Sequence, residues 1–459
     1  MAGNPIRTAL AVGACKMART ALRVMHRGGT TTPGRAAMFF DKNILETVSK
    51  GMEIIVVTGT NGKTTTSRML EHAMTEAGRD TLANRSGANL LPGVTAEFTA
   101  NAGAFGKPKK KYAIIECDEG ALKQVVPLIR PKVIVVTNLF RDQLDRYGEV
   151  MHTLEQIRIG IEKVPESILC LNADCSLTAS LANDLPNPVV YFGLNTPVGE
   201  QENSEISDAR YCIKCGTEYE YSYHTYAHLG GFYCPKCGYR RQDPQIAVSK
   251  IDRIAPQGST IHVQFPDEER EVTVGLPAVY NIYNAVGAIA AYETAGYARE
   301  EIVNSLADVH SSFGRMETFE LGEVPVQMIL VKNPAGCNQA LSYLAGMEQD
   351  YQAVFCLNDR AADGHDISWI WDADFEQVCR DPHAKHIYVL GDRKEDMAVR
   401  LKYADAAEEN VEIVDSDSAL IEKIRSSSTP VFILPNYTSM LSLRAALGAV
   451  TGKQEFWKG

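Results

Sequence analysis

The sequence predicts an α/β protein with two parallel-sheet domains, the second smaller and Rossmann-like. Three observations carry this. Short apolar runs such as Ile54-Ile55-Val56-Val57 and Val133 to Thr137 alternate with helical stretches. A glycine-rich turn joins the first of these runs to a helix, and the same alternation restarts after Arg315. Apolar strands separated by helices are the pattern of a sheet covered on both faces.

Taken in order, residues 5–27 form a helix in which Lys16, Arg19, Arg23 and Arg27 recur at three- and four-residue spacing beside Leu10, Met17, Leu22 and Met25. The ordinary reading is a solvated face. The sharper one is a surface for an anionic substrate or membrane headgroups. Gly28 to Gly34 then breaks the chain. A buried strand over 54–57 enters a helix over 63–76, and further strands fall at 112–116, 133–137, 168–171 and 189–192, with a helix over 149–163. A Cys- and Tyr-rich insertion occupies 205–243, followed by alternating strands over 245–274 and a helix over 280–296. Beyond Arg315, strands are expected at 326–331, 353–357, 386–390, 411–414 and 431–434. The expected organisation is a helical segment over 1–45, a large domain over 46–314 and a C-terminal domain over 315–459.

With 459 residues and 45% apolar content the chain is long enough for two or three packed cores. Lysine and arginine number 46 against 57 aspartates and glutamates, a net charge of −11 that disfavours bulk nucleic-acid binding. No run reaches the length of a membrane span. Seven of the eleven cysteines are scattered among apolar neighbours, the usage of a reducing compartment, so a cytoplasmic protein is expected.

The segment Thr58-Gly59-Thr60-Asn61-Gly62-Lys63-Thr64-Thr65 lies between a strand and a helix, the context of a phosphate loop. Glycines let backbone N–H groups approach phosphates, and the helix N-terminus adds partial positive charge. Lys63 supplies a point charge between β- and γ-phosphates, and the Thr64 hydroxyl is placed for Mg²⁺. In the insertion, Cys212-Ile213-Lys214-Cys215-Gly216 and Cys234-Pro235-Lys236-Cys237-Gly238 are near-copies. Four thiolates in such knuckles favour tetrahedral Zn²⁺ with a closed shell, so a structural zinc ribbon is expected.

The short loop Gly-Thr-Asn-Gly-Lys-Thr resembles that of the Mur ligase family. Other segments match that family in chain order: Ile114-Ile115-Glu116, Thr137-Asn138-Leu139 to Gly148, Leu171-Asn172-Ala173-Asp174, Tyr280-Asn281-Ile282-Tyr283-Asn284-Ala285, Gly314-Arg315-Met316-Glu317 and Lys332-Asn333-Pro334. The resemblance implies a Mur-ligase-like ATPase domain. In it Gly59 to Thr65, Asn281 and Arg315 bind ATP, while Thr64 and Glu116 hold Mg²⁺, with Asp118 and Glu119 as competing carboxylates. Gln143 stands where the family carries a histidine that helps hold a second metal, which puts a second Mg²⁺ in doubt. Only 52 residues precede Glu53, too few for the UDP-binding domain of many relatives.

The C-terminal segments Asn333 to Gln339 and Asn358 to Asp372 narrow the resemblance to the Mur-like subunits of lipid II isoglutaminyl synthases. That resemblance implies amidation of the D-glutamate α-carboxyl of the lipid II stem peptide to D-isoglutamine, through an acyl phosphate. Ammonia would come from a separate class I, GatD-like glutaminase in a heterodimer, at the inner face of the membrane. It also implies an aspartate given to the partner's Cys–His pair: Asp366 is the first choice, with Asp363 and Asp359 as alternatives. A ligase like folylpolyglutamate synthetase, and a zinc-ribbon interaction protein with a vestigial nucleotide site, are the competing readings.

Overall fold

The computed structural model describes residues 4–25, 31–84, 88–141, 150–198, 208–255, 257–309 and 315–452, with the backbone alone for Arg315. The described residues fall into two compact units, one drawn from the first 309 residues, the other from residues 315–452 with residue 141.

The first unit holds β1 (Glu53–Thr58), β2 (Thr81–Ala83), β3 (Tyr112–Glu116), β4 (Val133–Val136), β5 (Ile168–Asn172) and β6 (Val189–Leu194). A hairpin of β7 (Glu220–Tyr226) and β8 (Leu229–Tyr233) follows, then β9 (Ile246–Ala255), β10 (Gly258–Gln264) and β11 (Glu269–Val274). Nine of these form one sheet in the order β11-β10-β9-β6-β5-β4-β1-β3-β2. From β9 to β2 every pairing is parallel, whereas β9, β10 and β11 pair antiparallel. Burial follows the same division. Ile54 to Val57 are all buried, as a central strand covered on both faces requires, whereas β10 alternates buried and part-exposed positions.

Helices α1 (Pro5–Val24), α2 (Thr32–Phe40) and α3 (Ile44–Ser49) precede β1, and α4 (Lys63–Glu76) follows it. The helix Leu91–Ala100 receives α1 and α2. The helix Val279–Thr294 is buried without interruption from Asn281 to Tyr292, and it packs on α4, β5 and β6. An element apolar all round belongs inside, which its Ala-rich sequence had permitted but periodicity alone could not demand.

In the second unit, β12 (Arg315–Leu321), β13 (Val324–Ile329), β14 (Tyr351–Cys356), β15 (Ala384–Leu390), β16 (Val411–Ile413) and β17 (Val431–Pro435) form a sheet ordered β12-β13-β17-β14-β15-β16. It is parallel except where β12 pairs antiparallel with β13. Its core gathers Val326, Met328, Val354, Ile433, Leu420 and Leu443.

The predicted α/β class and every strand named from the sequence are present, each within two residues of its expected bounds. Four strands had no forecast: the three-residue β2, too short for a pattern, the edge strand β12, and the ribbon hairpin's β7 and β8, whose Tyr-rich stretch lay inside the insertion. No helix among the described residues is long and apolar enough to cross a membrane.

Candidate active site and metal centre

The phosphate loop leaves β1 between its neighbours β4 and β3, at the carboxyl edge where open α/β sheets bind ligands. Gly59 has φ 116° and Gly62 has φ 86°, conformations that L side chains rarely adopt. A Cβ on Gly62 would lie 2.0 Å from Asn284 Oδ1, and one on Gly59 would lie 2.4 Å from Thr137 Oγ1. Both glycines are therefore dictated by crowding as well as by φ.

The loop is fixed from below by the chain leaving β4. Asn61 N donates to Asn138 Oδ1 at 2.9 Å, while Thr137 Oγ1 and Asn138 Nδ2 donate to the Asn61 carbonyl at 2.6 and 3.2 Å. Thr60 N donates to the Asn138 carbonyl at 2.9 Å. Thr60 itself is bonded to the main chain of Phe140. Thr65 lies half-buried in the first turn of α4.

Lys63 opens α4 and is buried. Its ammonium donates to the carbonyls of Gly59 at 2.6 Å and Thr60 at 3.2 Å, and pairs with Glu119 at 3.0 Å. Glu116, at the end of β3, accepts the Thr64 hydroxyl at 2.6 Å and Asn89 Nδ2 at 3.1 Å. Asn84 holds the main chain of Glu116 on both sides, accepting from its N–H at 2.9 Å and donating to its carbonyl at 2.7 Å.

The Thr64–Glu116 pair is a hydroxyl and a carboxylate in contact beside the loop, the hard oxygen set that Mg²⁺ takes alongside phosphate oxygens and water. Of the three carboxylates weighed from the sequence, only Glu116 touches Thr64. Glu119 sits on Lys63, and Asp118 accepts the Gly120 N–H at 3.0 Å in a turn.

Asn281 and Asn284 lie one turn apart in Val279–Thr294. Asn281 Nδ2 donates to the Pro277 carbonyl at 2.6 Å, and Asn284 Nδ2 donates to Asn281 Oδ1 at 3.2 Å. It is Asn284 that meets the loop, accepting the Thr66 hydroxyl at 3.4 Å. Asp174 is a buried hub that accepts from Tyr283 at 2.5 Å, Leu194 N at 2.8 Å and Arg241 Nε at 2.6 Å. Burial pushes its carboxyl upward, and the Arg241 guanidinium opposes that shift. The side chain of Arg315, and Gln143 with its neighbours to Gly148, lie outside the described residues.

In the ribbon, Cys212, Cys215, Cys234 and Cys237 place their sulfurs within 4.8 Å of one another. Cys212 is 3.5 Å from Cys237, and Cys215 is 3.4 Å from Cys234. The two knuckles are built alike: Gly216 N donates to the Cys212 carbonyl at 2.8 Å, and Gly238 N to that of Cys234 at 3.1 Å. The Thr217 hydroxyl and backbone hold the Cys215 thiol down to about 6. Four sulfurs at such separations fit a tetrahedral soft-metal shell with no position left open. Tyr219, Phe232 and Tyr239 pack behind the cluster, and the Tyr239 hydroxyl donates to the Ser176 carbonyl at 3.2 Å.

In the second unit, Asn333 caps the helix Pro334–Ala345, accepting Gly336 N at 2.8 Å. The three candidate aspartates after β14 differ sharply. Asp363 is buried and accepts both the N–H and the hydroxyl of Thr438, at 2.8 and 2.5 Å. Asp359 faces Arg393 at 3.7 Å. Asp366 accepts only Ser368 at 2.8 Å among side-chain contacts described, and bonds from that serine hold its carboxyl below the ordinary range.

Sequence reading missed Thr137, Asn138, Phe140, Asn84, Asn89 and Asn284 as props of the loop. Asn84, Thr137 and Asn138 stand just past strand ends, a polar signal that does not say which loop they will meet; Asn89, Phe140 and Asn284 carry no such signal.

Two family models match the chain: the Mur ligase middle domain over residues 57–292 and the MurT ligase C-terminal domain over residues 330–440. The MurT subunit of lipid II isoglutaminyl synthase (glutamine-hydrolyzing) from Streptococcus pneumoniae is 34% identical over 92% of this chain and 93% of its own. The Staphylococcus aureus subunit of the same name is 34% identical over 94% and 95%. Among solved structures, a pseudomurein peptide ligase type C from Methanothermus fervidus matches with TM-score 0.68 and 19% identity, covering 89% of this chain and 81% of its own. Folylpolyglutamate synthase from Mycobacterium tuberculosis matches with TM-score 0.62 and 15% identity, covering 96% and 99%. These structures share the fold. With a phosphate loop propped by Thr137 and Asn138, a C-terminal unit matched by its own family model, and relatives aligned over nearly their whole length, the chain belongs to the MurT family of Mur-ligase-type proteins.

Proposed function

We propose that this chain amidates the D-glutamate α-carboxyl of the lipid II stem peptide, drawing ammonia from a class I glutaminase with which it forms a heterodimer. The observation that carries the reading is the Lys63–Thr64–Glu116 constellation in a chain of the MurT family. Lys63 and the N-terminus of α4 would receive the β- and γ-phosphates of ATP. Mg²⁺, when bound, would offset phosphate charge, and Thr64 and Glu116 are the residues to hold it. Gly59 to Thr65 supply the loop, with Asn281 and Arg315 proposed at the nucleotide as the family resemblance implies.

A substrate carboxylate oxygen attacks the γ-phosphorus, the bond to the bridging oxygen breaks, and ADP leaves with that electron pair. Ammonia then attacks the acyl carbon, inorganic phosphate departs and the nitrogen loses a proton. Nothing in this sequence requires a covalent enzyme intermediate; the protein orients two reactants and stabilises charge.

Asp366 is proposed to orient the histidine of the partner's Cys–His pair. Asp363 is committed to Thr438, and the exposed Trp371 and Tyr403, in edge contact at 5.6 Å, offer aromatic anchors on the same unit. The four cysteines are proposed to hold Zn²⁺ in a structural role. Because its acceptor is lipid-linked, the protein is proposed to act peripherally at the inner membrane face.

The test is to incubate lipid II with the chain, its co-purified glutaminase, ATP, Mg²⁺ and glutamine, and to analyse the product by mass spectrometry. Replacement of one acid by one amide, with ADP released, supports the assignment. Addition of a whole amino acid independent of the glutaminase would support a ligase instead.

A further inference from the structure

Helix α1 lies on the first unit through one face. Thr8, Ala11, Val12 and Cys15 are buried, Lys16 Nζ donates to the Ala102 carbonyl at 2.7 Å, and Arg19 pairs with Glu97 at 3.3 Å. A surface helix seated this way ordinarily turns charge to the solvent. This one does not. Ile6, Leu10, Met17 and Val24, at three- to four-residue multiples, form its outer stripe with exposures of 70%, 51%, 70% and 73%, and Gly13 and Thr20 fill the gaps.

No charged residue lies on that line; Arg7 and Arg23 are exposed on its flanks. At the end of α2, Phe39 adds a ring that is 84% exposed, with Phe40 in edge contact beside it. The stripe spans about 27 Å at the helical rise of 1.5 Å per residue.

Charge sets the occupant. The first forty residues contain Arg7, Lys16, Arg19, Arg23, Arg27 and Arg35 and no carboxylate before Asp41, in a chain whose net charge is −11. An apolar stripe between cations, on a helix too polar to span a bilayer, has the make-up of an element that lies in the headgroup region of an anionic membrane. A second copy of this chain would bring cations against cations along the same helix.

We infer that the outer stripe of α1, with Phe39 and Phe40, is a docking surface for anionic lipid bilayers. This rests on the proposed placement of the protein at a membrane, and its test is read without turnover, so failure of docking and failure of the amidation reading are separately visible.

The full chain with its glutaminase is sedimented with vesicles of phosphatidylcholine alone and of phosphatidylcholine with phosphatidylglycerol. Binding is expected only to the anionic vesicles, weakening as salt is raised. Leu10→Glu with Met17→Glu should lower the partition coefficient by about tenfold or more through charge placed in the apolar layer. Arg7→Gln with Arg23→Gln should lower it and flatten the salt dependence. Both variants should keep the wild-type gain in melting temperature on adding ADP and Mg²⁺. Equal binding to both vesicle types, or undiminished binding by the Leu10/Met17 variant, would overturn the inference. So would conversion of a dimer of heterodimers to single heterodimers by that variant, which would assign the stripe to a second copy.

Discussion

Phe140 and Thr60 exchange two hydrogen bonds: the Phe140 N–H donates to the Thr60 hydroxyl at 3.1 Å, and that hydroxyl donates to the Phe140 carbonyl at 3.2 Å. The ring of Phe140 reaches the other way, 4.5 Å from His228 and 5.8 Å from Tyr226 at the turn of the ribbon hairpin. One residue thus contacts both the phosphate loop and the insertion. Thr60→Val would leave two buried main-chain groups without partners, at about 1–3 kcal/mol each. The loop should loosen, KM for ATP should rise by about tenfold or more, and Thr60→Ser should behave nearly as wild type. Steady-state ADP release across an ATP series checks this.

The insertion's own stability should depend on metal. Its core is small, with Phe232, Tyr219 and Tyr239 behind the cysteines, too little to hold a fold alone. Chelation, or Cys215→Ser, is expected to lower the melting temperature by roughly 10 °C, while turnover per surviving molecule changes far less. Thermal denaturation paired with turnover measured at low temperature separates the two effects. Loss of turnover with an unchanged melting curve would contradict a structural role.

Lys63 and Glu119 form a buried pair, with side chains 11% and 4% exposed. Removing the cation alone takes from the buried Glu119 carboxylate the charge that faces it, and breaking a buried pair in this way costs about 3–5 kcal/mol. Lys63→Ala is therefore expected to lose both ADP release and thermal stability. Adding Glu119→Gln should recover much of the stability and none of the turnover. Calorimetry of the single and double variants, beside ADP assays, tests this; recovery of turnover in the double variant would remove Lys63 from the phosphate site.

The phosphate loop was legible because strand, glycine turn and helix are consecutive in the chain, and Glu116 because it ends an apolar strand where the family resemblance implies a carboxylate. Their props were not. Phe140 lies 80 positions from Thr60, Asn138 lies 77 from Asn61, and Glu119 lies 56 from Lys63. Those meetings depend on β1 lying between β4 and β3, a matter of sheet order that periodicity does not encode. The Asn pair shows a finer limit: the motif singled out Asn281, but one further turn of helix aims Asn284 at Gly62. The aspartates after β14 are alike as letters, and only the fold commits Asp363 to Thr438, 75 residues away.

That difference yields the last prediction. Asp366→Asn can still accept the Ser368 N–H, so its turn should survive while its negative charge is lost. With its carboxyl held below the ordinary range, wild-type Asp366 is ionised throughout the neutral region, and its protonation should impose no loss of activity there. If it orients the partner's histidine, the substitution should cut glutamine hydrolysis by about a hundredfold or more, while synthesis from added ammonium persists. Asp363→Asn should do the reverse: one oxygen no longer accepts from Thr438, costing about 1–3 kcal/mol, with hydrolysis in the folded complex retained. Measuring glutaminase and ammonium-dependent activities in both variants decides between them. Unchanged hydrolysis in Asp366→Asn would return Asp359 as the candidate, since of the three aspartates considered it is the one left that is not bound to Thr438.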